Sequence, residues 1–425
     1  MDFSSSLSWL VAGLIAARGG AQWILARLNR REILAHSDRA PEAFRDLMTP
    51  EAHRQSVEYS LAKGRLHQFE IVYDGVILLL VLASGLLPAA LAQWQSAFGA
   101  SPPATAGFLF AMGTALTLPG LPLDWFAQFR LEERFGFNTT TARLWWLDRL
   151  KGLGLALGLG VPLLTLVAWL FERAGNGWWL WTWACLVSFQ GVMLVLTPVL
   201  ILPLFNKFTP LPEGRLKDRL LELARQTRFP LHSIQVMDGS RRSRHSNAFF
   251  TGIGRLRKIV LFDTLIAQLD EAELAAVLAH EIGHYKRGHV LKFMAFYAGS
   301  LLAGLWVLSW LARQEGFYRA FGFEPGSPPA ALLLFGLLSG LATFWTTPVI
   351  NAWSRRFEYE ADAFAAGAVG SVKPLIGALR KLNRDNLSNL TPHPLYSWFH
   401  YSHPTLLERE RALTAGPPQL KAEAG

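Results

Sequence analysis

The 425-residue sequence predicts an all-α membrane protein, seven transmembrane helices carrying a small α+β region on the cytoplasmic side. Three observations predict it. Hydrophobic residues make up 51% and charged residues 17%, against about 25% charged in ordinary soluble domains, and mean hydropathy is +0.23. Seven stretches reach the ~20 mostly apolar residues that a bilayer core requires. Basic residues then alternate between the connecting loops, as they do across a membrane.

The apolar stretches are Leu7–Leu25, Ile71–Trp94, Ala104–Trp125, Gly152–Phe171, Trp178–Leu204, Val290–Leu311 and Pro329–Ile350. The first carries Arg18 and is expected as an uncleaved helix, because Met1–Ser6 has no basic run and no small-residue cleavage site follows. Residues 27–65 hold eight Lys/Arg, 95–103 none, 126–151 five, and 172–177 only Arg173. The segment after Phe205 is basic, 314–327 has only Arg319, and Arg355 and Arg356 open the C-terminal region. That pattern places the N-terminus outside and the C-terminus in the cytoplasm. The net charge of +9 is therefore orientation charge, and no nucleic-acid partner is expected. The single cysteine, Cys185, excludes a disulfide framework and a cysteine-based metal cluster.

Four segments follow from this pattern. Residues 1–205 form a five-helix membrane region with basic cytoplasmic loops, and 206–289 a polar insert. Residues 290–350 supply helices six and seven, and 351–425 a C-terminal tail that frays after Gly416-Pro417-Pro418. Arg18, Asp74 and Asp124 are costly against lipid and belong at an interface or facing water.

In the insert, Ser233–Met237, Asn247–Gly252 and Lys258–Phe262 read as short strands. Asp270-Glu271-Ala272-Glu273 then reads as a capped helix start, with Glu273 three residues after the capping Asp270. This helix continues through His280-Glu281-Ile282-Gly283-His284. Histidines four apart share a helix face at a separation that one zinc ion can bridge, and Glu281 is placed to act as a base beside the metal. This H-E-x-x-H pattern arises by chance about 0.02 times in a chain with 11 His and 32 acidic residues. A catalytic zinc needs a third ligand and an open position. Residues 354–365 read as a helix on which Glu358 and Asp362 share a face. Glu358 as ligand, with Asp362 holding a ligand histidine, is the economical assignment; Glu360 points elsewhere and reads as solvated or salt-bridged. Spacing alone leaves Glu358, Glu360 and Asp362 open as third ligand.

The run from His280 to His289 (HEIGHYKRGH), with Arg355-Arg356-Phe357-Glu358-Tyr359-Glu360-Ala361-Asp362, resembles the CAAX prenyl protease 1 family of integral-membrane zinc metalloproteases. Glu132–Asn138, Leu202–Leu211, His245–Gly252 and His400–Pro404 agree, so the resemblance covers nearly the whole chain. It implies seven helices enclosing a water-filled chamber with an α+β zinc-peptidase region at the cytoplasmic end. It implies His280, His284 and Glu358 as ligands of one zinc per chain, Glu281 as catalytic base and Asp362 as the carboxylate behind a ligand histidine. The family position of His403 implies an oxyanion donor, and Arg409 orients the site or binds a substrate carboxylate. An extended peptide is expected to add to the strand edge at Asn247-Ala248-Phe249.

The expected activity is hydrolysis of peptide bonds, in the manner of the protease that removes the C-terminal tripeptide of prenylated CAAX proteins. The competing readings are broader quality control of membrane proteins and a non-enzymatic transporter or channel. The expected partners are a peptide or protein substrate, prenylated or not, and the lipid bilayer. High Arg over Lys and a C-terminus without a retrieval signal point to a bacterial plasma membrane; in a eukaryote the expectation is the endoplasmic reticulum.

Overall fold

The computed structural model describes residues 1–2, 4–46, 48–251 and 257–416. Gly252, the last residue expected in the middle strand, and the tail from Pro417 lie outside the described residues. Among the described residues, seven helices are long and apolar enough to cross a membrane: Ser6–Ala35, Pro50–Ala83, Pro102–Glu132, Ala142–Arg173, Gly175–Phe205, His289–Leu311 and Pro328–Val369.

Two of them depart from the apolar runs that announced them. The run Ile71–Trp94 is divided between Pro50–Ala83 and a separate helix, Leu86–Phe98, because Gly85 takes a left-handed φ of 73° between them. Hydropathy averages composition and does not register a backbone reversal that glycine permits. The seventh helix does not stop at Ile350. It passes through a single tighter turn at Phe344–Thr346 and runs on to Val369, where Gly370 at φ 75° ends it. Polar side chains from Asn351 onward end the apolar run but not the helix. The carboxylates Glu358, Glu360 and Asp362 are therefore built on the continuation of a membrane helix.

The insert forms a four-stranded sheet in the order β1-β2-β4-β3. The strands are β1 (Phe208–Pro210), β2 (Ser233–Met237), β3 (Ala248–Thr251) and β4 (Lys258–Phe262). β2 runs parallel to β4, while β1 and β3 pair antiparallel on either side, with Phe249 opposite Val260. The sequence signalled β2, β3 and β4 but not β1, whose three residues include a proline and owe their extension to β2. Arg242 fastens this sheet to the membrane region. Its guanidinium donates to Asp148 at 2.8 and 3.0 Å, to the Phe205 carbonyl at 2.6 Å and to Asn206 at 2.9 Å.

Among the described residues a small apolar core forms around Tyr59, Leu131, Phe137 and Leu387, and two large ones result. One joins the sheet to the helices behind it through Leu220, Leu261, Leu265, Leu278, Ile282 and Leu375. The other packs Leu308, Tyr318, Phe321 and Leu334 at the far end of helices six and seven. A cavity of about 950 Å³ is lined by Tyr59, Glu132, His245, His400, His403 and Arg409 among others, drawn from the membrane helices, the insert and the C-terminal region.

The motif helix, Glu271–Lys286, packs most extensively on the distal part of the seventh helix. Gly283 permits this approach: a Cβ there would lie 3.0 Å from the Ala361 Cα and 3.1 Å from its carbonyl oxygen. Backbone cannot swing aside as a side chain can. Gly283→Val is therefore expected to cost about 1–3 kcal/mol and to separate the His280–His284 face from Glu358. Thermal melting and metal content of the purified variant would both fall; an unchanged metal content would show that the crossing tolerates expansion.

Candidate metal centre and active site

The start of the motif helix is secured as its cap pattern predicts. The Asp270 carboxylate accepts from the Ala272 and Glu273 N–H groups at 2.9 Å, and Glu273 accepts from the Asp270 N–H at 3.0 Å. Lys381 adds an ion pair to Glu273 at 2.7 Å. Two and a half turns on, His280 and His284 project together, with their Nε2 atoms 3.1 Å apart. From the seventh helix, Glu358 brings one carboxylate oxygen to 3.3 Å from His284 Nε2 and the other to 3.4 Å from His280 Nε2. The three donor atoms lie within 4.8 Å of one another, and the tertiary structure thus brings Glu358, of the three acids left open by spacing, to the two histidines.

Asp362, one turn further, accepts from His280 Nδ1–H at 2.8 Å. Arg409 holds Asp362 in a fork, Nε to Oδ2 at 2.8 Å and Nη2 to Oδ1 at 2.5 Å, with its Nη1 3.7 Å from Glu358. The guanidinium is buried and committed to these carboxylates. Of the two roles expected for Arg409, this geometry favours orientation over a carboxylate on the substrate.

The donor set fits a divalent ion on three counts. Two histidines and a carboxylate are the ligands of one class of catalytic zinc site. The Glu358 Oε2 is buried and makes no hydrogen bond, only longer ion-pair contacts to His280 at 3.4 Å and Arg409 at 3.7 Å, so its lone pairs stay open to a closer cation. The facing Nε2 atoms, 3.1 Å apart, also need a hydrogen or a metal ion between them, since two bare lone pairs would repel. Burial opposes charging His280, but its hydrogen bond to Asp362 and the adjacent Glu358 carboxylate prevail and push its pKa up to about 9. A metal must therefore displace a proton there. Below pH 9 the His280 proton competes, so apparent affinity is expected to fall about tenfold per pH unit from this group alone. Calorimetry at pH 7 in buffers of differing ionisation enthalpy would register close to one proton released from it; none released would contradict the proton-held triangle.

Glu281 retains partial exposure, yet desolvation lifts its carboxyl above the usual carboxylate range despite the neighbouring His280 and His284. His403 faces the site with Nε2 3.3 Å from Glu358, and its Nδ1 meets the Ser402 hydroxyl at 2.9 Å. Its side chain is 64% exposed, which leaves room beside it for a substrate. Asn247 is exposed and precedes β3. Its side chain accepts the Ala248 N–H at 2.8 Å while its carbonyl accepts from Phe262 at 3.1 Å. β3 is one of the two edge strands, paired only with β4 among the described residues.

Two groups exceed what the sequence signalled. Glu360 bridges Arg356 at 3.1 Å, as its expected salt-bridging role requires, but it also lies 3.1 Å from His289 Nε2. Inside the cavity, Glu132 accepts from the Tyr59 hydroxyl at 2.7 Å, with His245 Nε2 at 3.4 Å and His245 Nδ1 2.8 Å from Asn386. His289, Glu132 and His245 all stand in the stretches that carried the family resemblance; their partners lie far off in the chain.

Residues 29–207 match the family described as CAAX prenyl protease N-terminal, five membrane helices, and residues 210–416 match peptidase family M48. The chain is 36% identical to CAAX prenyl protease 1 of Saccharomyces cerevisiae over 399 residues, 88% of each chain. It is 30% identical to the human CAAX prenyl protease 1 homolog over 434 residues, 91% of this chain and 90% of that one. The crystal structure of S. mikatae Ste24p superposes with a TM-score of 0.90 at 32% identity, covering 96% of this chain and 99% of the other.

Proposed function

The chain belongs to the CAAX prenyl protease 1 family of integral-membrane metallopeptidases, and from that premise we propose that it cleaves the C-terminal tail of prenylated CAAX-type proteins, using one zinc ion held by His280, His284 and Glu358. The observation that carries the reading is the three-atom donor set within 4.8 Å, with Glu281 beside it and the cavity reaching His403 and Arg409. Of the readings the sequence allowed, the comparisons support this peptidase over a transporter.

Zinc bound there supplies Lewis acidity, bringing the pKa of water towards about 7. The chain's own residues do the rest. Glu281 takes the proton of the attacking water and returns it to the leaving amine nitrogen, and desolvation of its carboxyl brings its basicity nearer the working pH. His403 offers an N–H to the oxyanion that develops on the scissile carbonyl. Asp362 and Arg409 hold His280 and Glu358 in register. The substrate backbone adds to β3 at Asn247-Ala248, through main-chain bonds that place any sequence alike.

In this reading residues 1–205 and 290–350 build the membrane-embedded chamber, while 206–289 and 351–425 supply the chemistry. The basic loops support a site at the cytoplasmic face with the N-terminus outside, in a bacterial plasma membrane or, in a eukaryote, the endoplasmic reticulum.

The test compares a farnesylated CAAX peptide with its unprenylated twin, alongside zinc content. The expected result is about one zinc per chain and a kcat/KM at least about tenfold higher for the farnesylated peptide, since two buried methylenes are worth about 1.6 kcal/mol. Equal cleavage of the twins would replace the CAAX substrate with general membrane proteolysis.

A further inference from the structure

A ligand histidine must present a lone pair to the metal, so its other nitrogen must carry the proton, and something must hold it there. For His280 that group is Asp362, at 2.8 Å. His284 has a different neighbour: its Nδ1 lies 2.9 Å from Nδ1 of His289. Two imidazole nitrogens at that distance share one proton, and which ring owns it depends on the far side of His289. There Nε2 faces the Glu360 carboxylate at 3.1 Å, and an ionised carboxylate only accepts. His289 therefore donates from Nε2 and is left with a lone pair at Nδ1. That lone pair takes the Nδ1–H of His284, which leaves His284 Nε2 free to face Glu358 and His280.

The chain of donors is held firmly. His289 is 1% exposed and stacks on Phe357 with ring centroids 4.0 Å apart and planes within 9°. Glu360 is held from its other oxygen by Arg356. His289 is the first residue of the sixth helix, entered through Gly288 at φ 65°, and Glu360 lies on the seventh.

We propose that His289 and Glu360 form a positioning relay that sets the tautomer and ring orientation of His284 for metal ligation. The two ligand histidines are thus governed by separate carboxylates, one acting directly and one through a histidine, and the junction of helices six and seven is tied to the metal's affinity. The inference rests on the reading of His284 as a ligand.

The test is zinc affinity of the full-length detergent-solubilised protein, measured by competition with a chelator, with thermal melting of the metal-free form recorded in parallel. His289→Phe keeps the stack on Phe357 but cannot accept a proton; affinity is expected to fall about 10–100-fold while the metal-free melt stays within a few degrees. His289→Gln, whose amide oxygen can accept from His284, is expected to recover most of the loss. Glu360→Leu is expected to weaken zinc binding, and the double variant to be no weaker than His289→Phe alone, because both act through one proton. If His289→Phe does not fold, the partly exposed Glu360 position decides by itself. Affinities within about threefold of wild type, or losses that simply add, would overturn the relay while leaving the ligands intact. Failure of the wild type to bind zinc would overturn the ligand reading and the relay with it.

Discussion

Glu281→Gln is expected to retain wild-type zinc content and to lose about 10²–10⁴-fold in kcat. Glutamine matches glutamate in size, so packing around the motif helix is preserved. The change removes only the ability to take a proton and hand it on. Because Glu281 is not among the three donor atoms, metal binding should not follow activity downward. The neighbouring titratable groups, His280, His284, Glu358 and Arg409, are numerous enough for the lost carboxylate to change the local field. For that reason zinc content must be measured on the same preparation as turnover. Loss of activity together with metal would make Glu281 a structural residue; activity within a few-fold of wild type would remove it from the mechanism.

The second large effect is expected at Glu358. Replacing it by Gln leaves a neutral amide where the buried carboxylate stood between the two Nε2 atoms. Zinc affinity should fall further than the 10–100-fold typical of a lost outer hydrogen-bond partner, because a charged ligand is removed outright. Asp362→Asn provides the internal scale. It keeps an oxygen for His280 Nδ1–H and loses only charge opposite Arg409, so its loss of affinity should be smaller. Chelator competition on both variants checks the order. If Asp362→Asn proves the more damaging, the ligand and its supporting carboxylate have been exchanged, and Asp362 or Glu360 must be reconsidered as the third ligand.

That exchange is a natural risk of reading three acids from one helix. Glu358 and Asp362 share a face, and nothing local distinguishes a residue that meets a metal from one that meets the histidine behind it. The difference comes from where two helices cross. With Gly283 against Ala361, Glu358, about one turn before the crossing, reaches both Nε2 atoms, and Asp362, the residue directly after it, meets His280 from its Nδ1 side. Glu360 lies off that face and finds His289 instead.

Much was determined by sequence alone, because it is written in short-range signals. Apolar runs long enough to cross a bilayer, basic residues sorted by loop, the Asp270–Glu273 cap, the four-residue histidine spacing and three short strands each depend on residues within one element or one loop. The family resemblance rests on those same local motifs, and the fold follows it. Tertiary structure decided what depends on partners distant in the chain. β1 is extended because β2 is there to pair with it. Arg242, Glu132 and His245 join the insert to helices some 40 to 110 positions away. The left-handed turn at Gly85 and the continuation of the seventh helix past Ile350 were invisible to hydropathy, which reports what a residue dissolves in rather than the backbone angle it adopts. The choice of Glu358, and the route from His284 through His289 to Glu360, required side chains from three helices to be within about 3 Å of one another. Spacing along one helix cannot state a distance between helices.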